Sequence, residues 1–361
     1  MSALSIVAHW RHTVAGLLPR LHKHQTHALA DLSFATALAG DCRAGPVAPH
    51  VPTTATPASS RRRFERFVAN RRFPAVEAQC ELARNLLLHW SGCTVLLLLD
   101  ETPRANDLRA LCVRLAYRKR ALPLAWVCYS PDELPRPMPE LVRTLLDQVG
   151  SCLPGGCEVV LLADRGLAWP VLVDYCHDNG WHYVLRLQSS TRVRFPDGGE
   201  QAVRDLAPRM GSRWLGEAEA FKKAGWRGAN VVATWQRDMK EPWLLLADRR
   251  ASLRHCRVYA KRTWVEESFR DDKSSGFGWG RSRVTDPAHA SRLLAVLAVA
   301  MVLAISVGTE AVKSGQRRSL DARCGGRLSV TQVGLRRLRA AVLRGLHRWL
   351  RLTRLYLYPN G

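Results

Sequence analysis

Two apolar runs, each ending in an aspartate, constrain this chain more than any other feature. Residues 94–100 read TVLLLLD and residues 157–164 read CEVVLLAD. Continuous apolar runs of this length, without polar alternation, are what strands covered on both faces look like. At the ends of such strands Asp100 and Asp164 fall where open α/β sheets collect ligands and metals. Residues 108–118 and 122–130 read as two more strands, and PELVRTLLDQVG (139–150) as a helix with proline at its first position. A helix over 168–178 and a strand over 181–188 follow. The order is three strands, helix, strand, helix, strand, which predicts a mixed α/β sheet flanked by helices.

The flanks read differently. In residues 191–250 short runs (TRVRF, ANVVATWQ, PWLLLAD) are separated by Gly, Pro and Asp. They predict a small antiparallel β unit inserted in the larger fold. A long helix is expected from about 255. At the start, residues 1–39 carry apolar residues at helical spacing, with Trp10, Val14, Leu17, Leu18 and Leu21 on one side. Residues 40–60 are rich in Pro, Ala, Thr and Ser and read as a loop. Ser60 is placed to cap a helix, RRRFERFVANRRF, in which Phe64, Phe67 and Val68 share a face while arginines, Arg61, Arg62 and Arg63 among them, line the rest. Another helix is expected over about 74–90. The tail, 330–356, reads as a basic amphipathic helical region with Val333, Leu338, Val342, Leu346 and Trp349 as its apolar positions.

Charge narrows the partner. The chain has 54 Lys+Arg against 31 Asp+Glu, a formal net charge of +23 in 361 residues. A protein this basic meets a polyanion, and nucleic acid is the first candidate. An anionic membrane is the second, and it rests on charge and on the apolar run Leu293 to Val307. That run is about 15 residues, short of the roughly 20 needed to span a bilayer. It is read as a buried core helix, with no membrane partner. Ten cysteines without a CxxC, and no signal peptide in MSALSIVAHWRH, point to a reducing, cytoplasmic setting. His22, His24 and His27 have no nearby cysteine pair at zinc-finger spacing.

The chemistry concentrates in 255–283, HCRVYAKRTWVEESFRDDKSSGFGWGRSR. Tyr259, Arg262, Glu266 and Lys273 stand at offsets of zero, three, seven and fourteen. In an α-helix all four fall within an arc of roughly 60°, Arg270 joins them, and Glu267 is turned away by about 100°. One helix then presents an aromatic hydroxyl, cations and one carboxylate to the same place. The bland alternative is a solvated face with intrahelical ion pairs. Such a face has no need of Tyr259 or of acids at two distant strand ends.

Tyr-x2-Arg-x3-Glu-x6-Lys resembles the YREK signature of the IS-four family of bacterial insertion-sequence transposases, spacing for spacing. The LLLLDET around Asp100 and the VLLADRG around Asp164 are similar to the family's two aspartate strands, and a β insertion precedes the signature helix in both. The resemblance covers about residues 60–310 and is weaker before them. It implies an RNase H-like fold, a mixed sheet flanked by helices, with an inserted antiparallel β subdomain and helical N- and C-terminal regions. It divides the chain into a helical basic DNA-binding domain (1–90), the first part of the catalytic core (91–190), the β-rich insertion (191–254), the second part of the core with the signature helix (255–315) and a basic helical C-terminal region (316–361). It implies a metal-dependent DDE transposase that cleaves transposon ends and joins them to target DNA, a homodimer in its complex with double-stranded DNA. Asp100, Asp164 and Glu266 would hold two Mg²⁺ ions, with Mn²⁺ able to substitute. Tyr259, Arg262, Lys273, Arg270 and the arginines 61–63 would grip DNA. Some members excise through a DNA hairpin, with a Trp on a similar WLLL strand stacked on a flipped base; Trp243 in PWLLLAD matches it, and Trp264 is a second aromatic candidate. A different RNase H-like nuclease, or a transposase-derived DNA-binding protein without activity, are the rival readings.

Overall fold

The computed structural model describes residues 3–105, 107–322, 326–345, 350, 355 and 357–359. Five helices come first: α1 (Ala3–Leu17), α2 (Lys23–Ala39), α3 (Ala44–Val47), α4 (Pro57–Ala69) and α5 (Ala75–Leu87). The stretch read as helical over 1–39 is thus two helices, divided around Pro19, whose ring cannot continue an α-helical ladder. The expected loop 40–60 is only partly loop, since α3 and a 3₁₀ turn lie within it. Thr56, not Ser60, caps α4: its hydroxyl accepts from the Ser59 amide at 3.3 Å, and Pro57 takes the first helical position. Ser60 is buried one turn inside.

The strands then form one sheet. β1 (Thr94–Arg104), β2 (Leu108–Tyr117) and β3 (Arg120–Tyr129) make an antiparallel meander. After α6 (Met138–Gly150), β4 (Glu158–Ala163) pairs parallel to β1, and after α7 (Pro170–Asp178), β5 (His182–Arg186) pairs parallel to β4. The inserted strands are β6 (Arg192–Arg194), β7 (Glu200–Ala202), β8 (Arg213–Ala220), β9 (Arg227–Thr234) and β10 (Trp243–Ala247). They do not form a separate unit. β10 pairs antiparallel with β5, and the sheet runs on without a break in the order β3-β2-β1-β4-β5-β10-β9-β8-β6-β7. The physical reason is in the composition of β10: Leu244, Leu245, Leu246 and Ala247 are all buried, as a strand inside a covered sheet requires.

The helix expected from 255 is interrupted. It consists of α8 (Arg254–Tyr259), a 3₁₀ turn (Ala260–Arg262), α9 (Thr263–Arg270) and a π-helical turn (Asp271–Ser275). After it, α10 (Pro287–Lys313) runs through the centre, followed by α11 (Arg317–Asp321) and α12 (Val330–Leu343). Of the expected apolar tail positions, Val333 and Leu338 are buried and Val342 is half-buried on α12, while Leu346 and Trp349 lie outside the described residues.

α10 is the spine. Its 27 residues exceed the stretch read from the sequence, and the helix is long and apolar enough to cross a membrane. Its most apolar window is, however, 94% buried inside the protein. A helix apolar on every side packs wherever protein surrounds it, and here α2, β3, α12, α4 and α5 do so. The buried side chains of α1, α2, α4 and α5 therefore join the same core as the sheet.

Two glycines set how closely α12 approaches α10. A Cβ on Gly308 would lie 1.9 Å from the Val330 carbonyl oxygen, and one on Gly334 would lie 1.8 Å from that of Ala304. Gly→Ala inside an exposed helix normally stabilises by about 1 kcal/mol. Here Gly308→Ala or Gly334→Ala should reverse the sign and destabilise by about 1–3 kcal/mol, because backbone cannot move aside as a flexible side chain can. Urea unfolding followed by circular dichroism checks this; a stabilised variant would show that the two helices do not pack this closely.

Candidate active site

The site lies where β1 and β4 part. Their pairing ends at Leu99↔Ala163, because β4 stops there. β1 does not stop at Asp100 as the sequence suggested. It continues to Arg104, paired with β2 alone. Pro103, which has no amide to donate, is tolerated where one side of the strand has no partner strand. Asp100 thus sits at the first position past the parallel pairing, and Asp164 at the first position past β4.

α8 and α9 close over this gap and bring Arg262 into it. Arg262 Nη2 donates to Asp100 Oδ2 at 2.9 Å and stands 3.3 Å from Asp164 Oδ2, while Nη1 pairs with Glu266 one helical turn on. Three carboxylates from two strands and a helix therefore converge on one guanidinium. The Tyr259 hydroxyl donates to Asp164 Oδ1 at 3.3 Å, and Trp243 packs edge-on against the Tyr259 ring with centroids 5.4 Å apart. The offsets of zero, three and seven survive the 3₁₀ turn between α8 and α9, since each step is about one turn in either helix.

Burial gives these groups their electrostatics. It pushes the Asp100 carboxyl above its ordinary range; Arg262 and the Glu101 amide pull the other way, and Asp164 and Glu266 add to the rise. Burial works against the charge on Arg262, but Asp100, Asp164, Tyr259 and Glu266 outweigh it and hold the guanidinium above its ordinary value. Burial and the charge of Asp164 raise the Tyr259 phenol far above neutral pH, so it keeps its proton. Arg262 Nε is buried with no hydrogen-bond partner.

The other expected residues divide. Lys273, on the π turn, is half-buried; burial lowers its pKa, and it is near enough to Asp100 and Arg109 to feel both charges. Arg270 is not in the cluster. It is exposed and pairs with Glu267 at 2.9 Å, and Glu267 also faces Arg120. The helical arc that placed Arg270 with Arg262 did not count this partner. Trp264 lies under Lys261, whose ammonium is 5.8 Å from the ring centroid. On α4, Arg61 pairs with Glu65 and Arg62 is exposed, while Arg63 turns inward to Asp31, which Arg11 also holds.

Four supporting residues were missed: Arg114, Arg120, Asp271 and Asp272. Arg114 donates to Asp272 at 2.6 Å with both side chains buried, and its guanidinium lies 4.5 Å from the Phe269 ring centroid. Arg120 holds Asp271 at 2.7 Å, and Ser329 at the start of α12 donates to the same carboxylate. The Ser268 hydroxyl accepts the Ala121 amide at 2.6 Å. These contacts pin the end of α9 to β2 and β3 and open the helix into its π turn. The return at Gly276 needs glycine, since a Cβ would meet the Asp271 carbonyl oxygen at 2.7 Å. The available signals were an arginine within the apolar RALCVRLAY and adjacent acids in a basic segment.

Among the described residues no three His, Cys, Asp or Glu side chains form a ready cage for a metal ion. What the site offers instead is hard oxygen donors gathered on a cation. Residues 136–303 match the family model described as Transposase DDE domain. The matched segment includes Asp164, Trp243 and everything from Tyr259 to Lys273, and begins after Asp100. No curated protein matches the chain.

The supporting pairs make a stability prediction. Asp272→Ala leaves the Arg114 guanidinium buried without its partner and should cost about 3–5 kcal/mol. Glu65→Ala, which breaks the exposed pair with Arg61, should cost less than about 1 kcal/mol. Denaturant midpoints of the two variants test the difference. Equal midpoints would mean that the Arg114–Asp272 pair does not anchor α9.

Proposed function

We propose that this chain is a DNA transposase with an RNase H-like core, related to the IS-four insertion-sequence enzymes, that cuts transposon ends and joins them to target DNA. The observation that carries the reading is the convergence of Asp100, Asp164 and Glu266 on Arg262, with Tyr259 against Asp164. It stands beside the match of residues 136–303 to a transposase DDE domain. The reading includes double-stranded DNA as the partner, a homodimer in the DNA complex and a cytoplasmic setting.

Asp100, Asp164 and Glu266 would hold Mg²⁺, or Mn²⁺ in its place. Carboxylate oxygens suit these hard cations, and all three already lie around one positive group. When bound, such ions activate a water or a 3′-hydroxyl and stabilise the leaving oxygen of a phosphodiester. The chain's own residues do the rest. Arg262 gives up the carboxylates and turns to a DNA phosphate, for which its unpartnered Nε is an available donor. Tyr259, which keeps its proton, donates to a neighbouring phosphate oxygen, and Lys273 supplies a second cation. Arg61 and Arg62, exposed on α4, contact phosphates farther along the DNA.

Asp100→Ala, Asp164→Ala and Glu266→Ala should each lower cleavage of end-labelled transposon DNA by at least about a hundredfold, while leaving DNA binding largely intact. EDTA should abolish the wild-type reaction, and Mn²⁺ should restore it. Full cleavage by Glu266→Ala together with loss in Glu267→Ala would transfer the third carboxylate's role to Glu267. Metal-independent cleavage would overturn the reading.

Trp243 fits a role in excision through a hairpin. A hairpin bends one strand so sharply that a base must leave the stack, and a waiting ring offsets part of the cost of a few kcal/mol. Trp243 is half-buried against Tyr259 at the site's edge. Trp243→Ala should nick the first strand normally but form and resolve hairpins poorly, with partial rescue by an abasic site at the flipped position. Denaturing gels over time separate the products. Equal hairpin yields from variant and wild type would leave Trp243 a packing residue.

A further inference from the structure

Each aspartate of the site has one oxygen engaged at its own strand end. Asp100 Oδ1 accepts the Glu101 amide at 2.9 Å. Asp164 Oδ1 accepts the Arg165 amide at 2.7 Å and the Tyr259 hydroxyl at 3.3 Å. The remaining oxygens, Asp100 Oδ2 and Asp164 Oδ2, both face Arg262 Nη2, and Glu266 Oε1 faces Nη1. One guanidinium thus engages one oxygen of each of three carboxylates. It lies between them, and among the described residues no three acids form a ready cage for an ion.

The guanidinium is held by these carboxylates and by nothing else polar among the described residues. Its ion pairs are with Asp100, Asp164 and Glu266, and its Nε is buried without a hydrogen bond. The backbone around it is fixed from both sides. α8 packs on β5 and β10, and the end of α9 is pinned by Arg114 and Arg120. Arg262 therefore leaves the carboxylates by turning its long side chain, with the helical segment kept in place.

We propose that Arg262 is a resident counter-ion that keeps divalent metal off Asp100, Asp164 and Glu266 until a DNA phosphate draws it away, so that metal and DNA bind cooperatively. A metal ion arriving alone competes with Arg262 for the same three oxygens, and two cations meet at close range. A phosphate arriving alone takes the counter-ion of three carboxylates and is left beside their negative charge. Each ligand alone is therefore opposed. Together they are not, because the phosphate receives the guanidinium while the carboxylates receive the metal. Such coupling is reciprocal: each ligand raises the affinity of the other by the same factor. Its consequence is that the protein without DNA carries no loaded metal centre with which to attack unselected phosphodiesters. The identity of the two ligands rests on the transposase reading, whereas the engagement of the three carboxylates by Arg262 does not.

The test reads metal binding by the full chain, with Mn²⁺ as the probe and electron paramagnetic resonance of the free ion as the signal. Without DNA, Arg262→Gln should bind Mn²⁺ at least about tenfold more tightly than wild type. Adding Asp164→Asn to that variant should remove the gain. Thermal melts give a second reading. Arg262→Gln leaves three carboxylates without their cation, so its Tm should fall below that of wild type, and Mn²⁺ should raise it more than it raises the wild-type Tm. A third arm needs no substitution at Arg262. On ice, before cleavage proceeds, a transposon-end duplex should raise the Mn²⁺ affinity of wild type by a factor similar to that of Arg262→Gln. The same duplex with the Asp100→Asn, Asp164→Asn double variant corrects for ions held by DNA. If Arg262→Gln does not fold, this arm decides alone. Wild type that binds Mn²⁺ without DNA as tightly as the variant overturns the proposal and leaves the three-carboxylate metal reading standing, and so does an affinity that DNA leaves unchanged. If neither protein binds Mn²⁺ with or without DNA, the metal reading itself fails, and the proposal with it.

Discussion

Carboxylates crowded into one place repel one another, and this site exists because a guanidinium holds three of them together. Asp100 and Asp164 come from neighbouring strands and Glu266 from a helix, and Arg262 reaches all three. A lysine in its place would present one point charge, whereas the planar fork engages different carboxylates through different nitrogens. The same device recurs one layer deeper. Arg114 and Arg120, on β2 and β3, hold Asp272 and Asp271 just past the end of α9. The position of Glu266 therefore depends on charge pairs at both ends of its helix, one at the site and the others in the core.

Buried pairs of this kind add little to stability relative to apolar packing of the same volume, but each partner is costly to leave alone. That asymmetry suits a segment that must keep one shape. An apolar contact between α9 and β2 could slide by a fraction of a turn, whereas the Arg114–Asp272 and Arg120–Asp271 pairs have one register. With α9 fixed there and the chain turned back at Gly276, the 3₁₀ turn at Ala260–Arg262 takes up what remains, and Arg262 points into the gap between β1 and β4.

How much of this is legible in the sequence follows from the range of the interactions. TVLLLLD and CEVVLLAD are local statements about burial on both faces, and they locate β1, β4 and two acids correctly. The cluster of Tyr259, Arg262 and Glu266 is equally local, because three- and four-residue steps stay aligned in either kind of helical turn. Arg270 and Arg63 point elsewhere than a helical arc or a basic run places them, for a common reason: each has an acid partner, Glu267 and Asp31, that neither pattern counts. Arg114 and Asp272 are 158 positions apart, and no periodicity links them. The continuation of the sheet through β10 could have been seen. WLLLA is a continuous apolar run like those of β1 and β4, which marks a covered strand inside a sheet, but its Gly-, Pro- and Asp-rich neighbours give it the look of a small inserted antiparallel unit.

The opening itself comes from unequal strand lengths. If β4 were as long as β1, the backbone beyond Leu99 would be paired on both sides, and Asp100 would lie in a continuous sheet with its side chain against a packed face. Because β4 stops at Ala163, β1 runs on beside β2 with no partner strand on its other edge, and Pro103 costs no ladder bond on that free side. The two aspartates then face a gap that strands cannot fill, and a helix can. An α-helix has no free main-chain donors along its sides, so whatever it offers the gap must come from side chains. That is why the closing segment is rich in long polar side chains on its inner face, and why Arg262, the longest that reaches the gap, takes its centre.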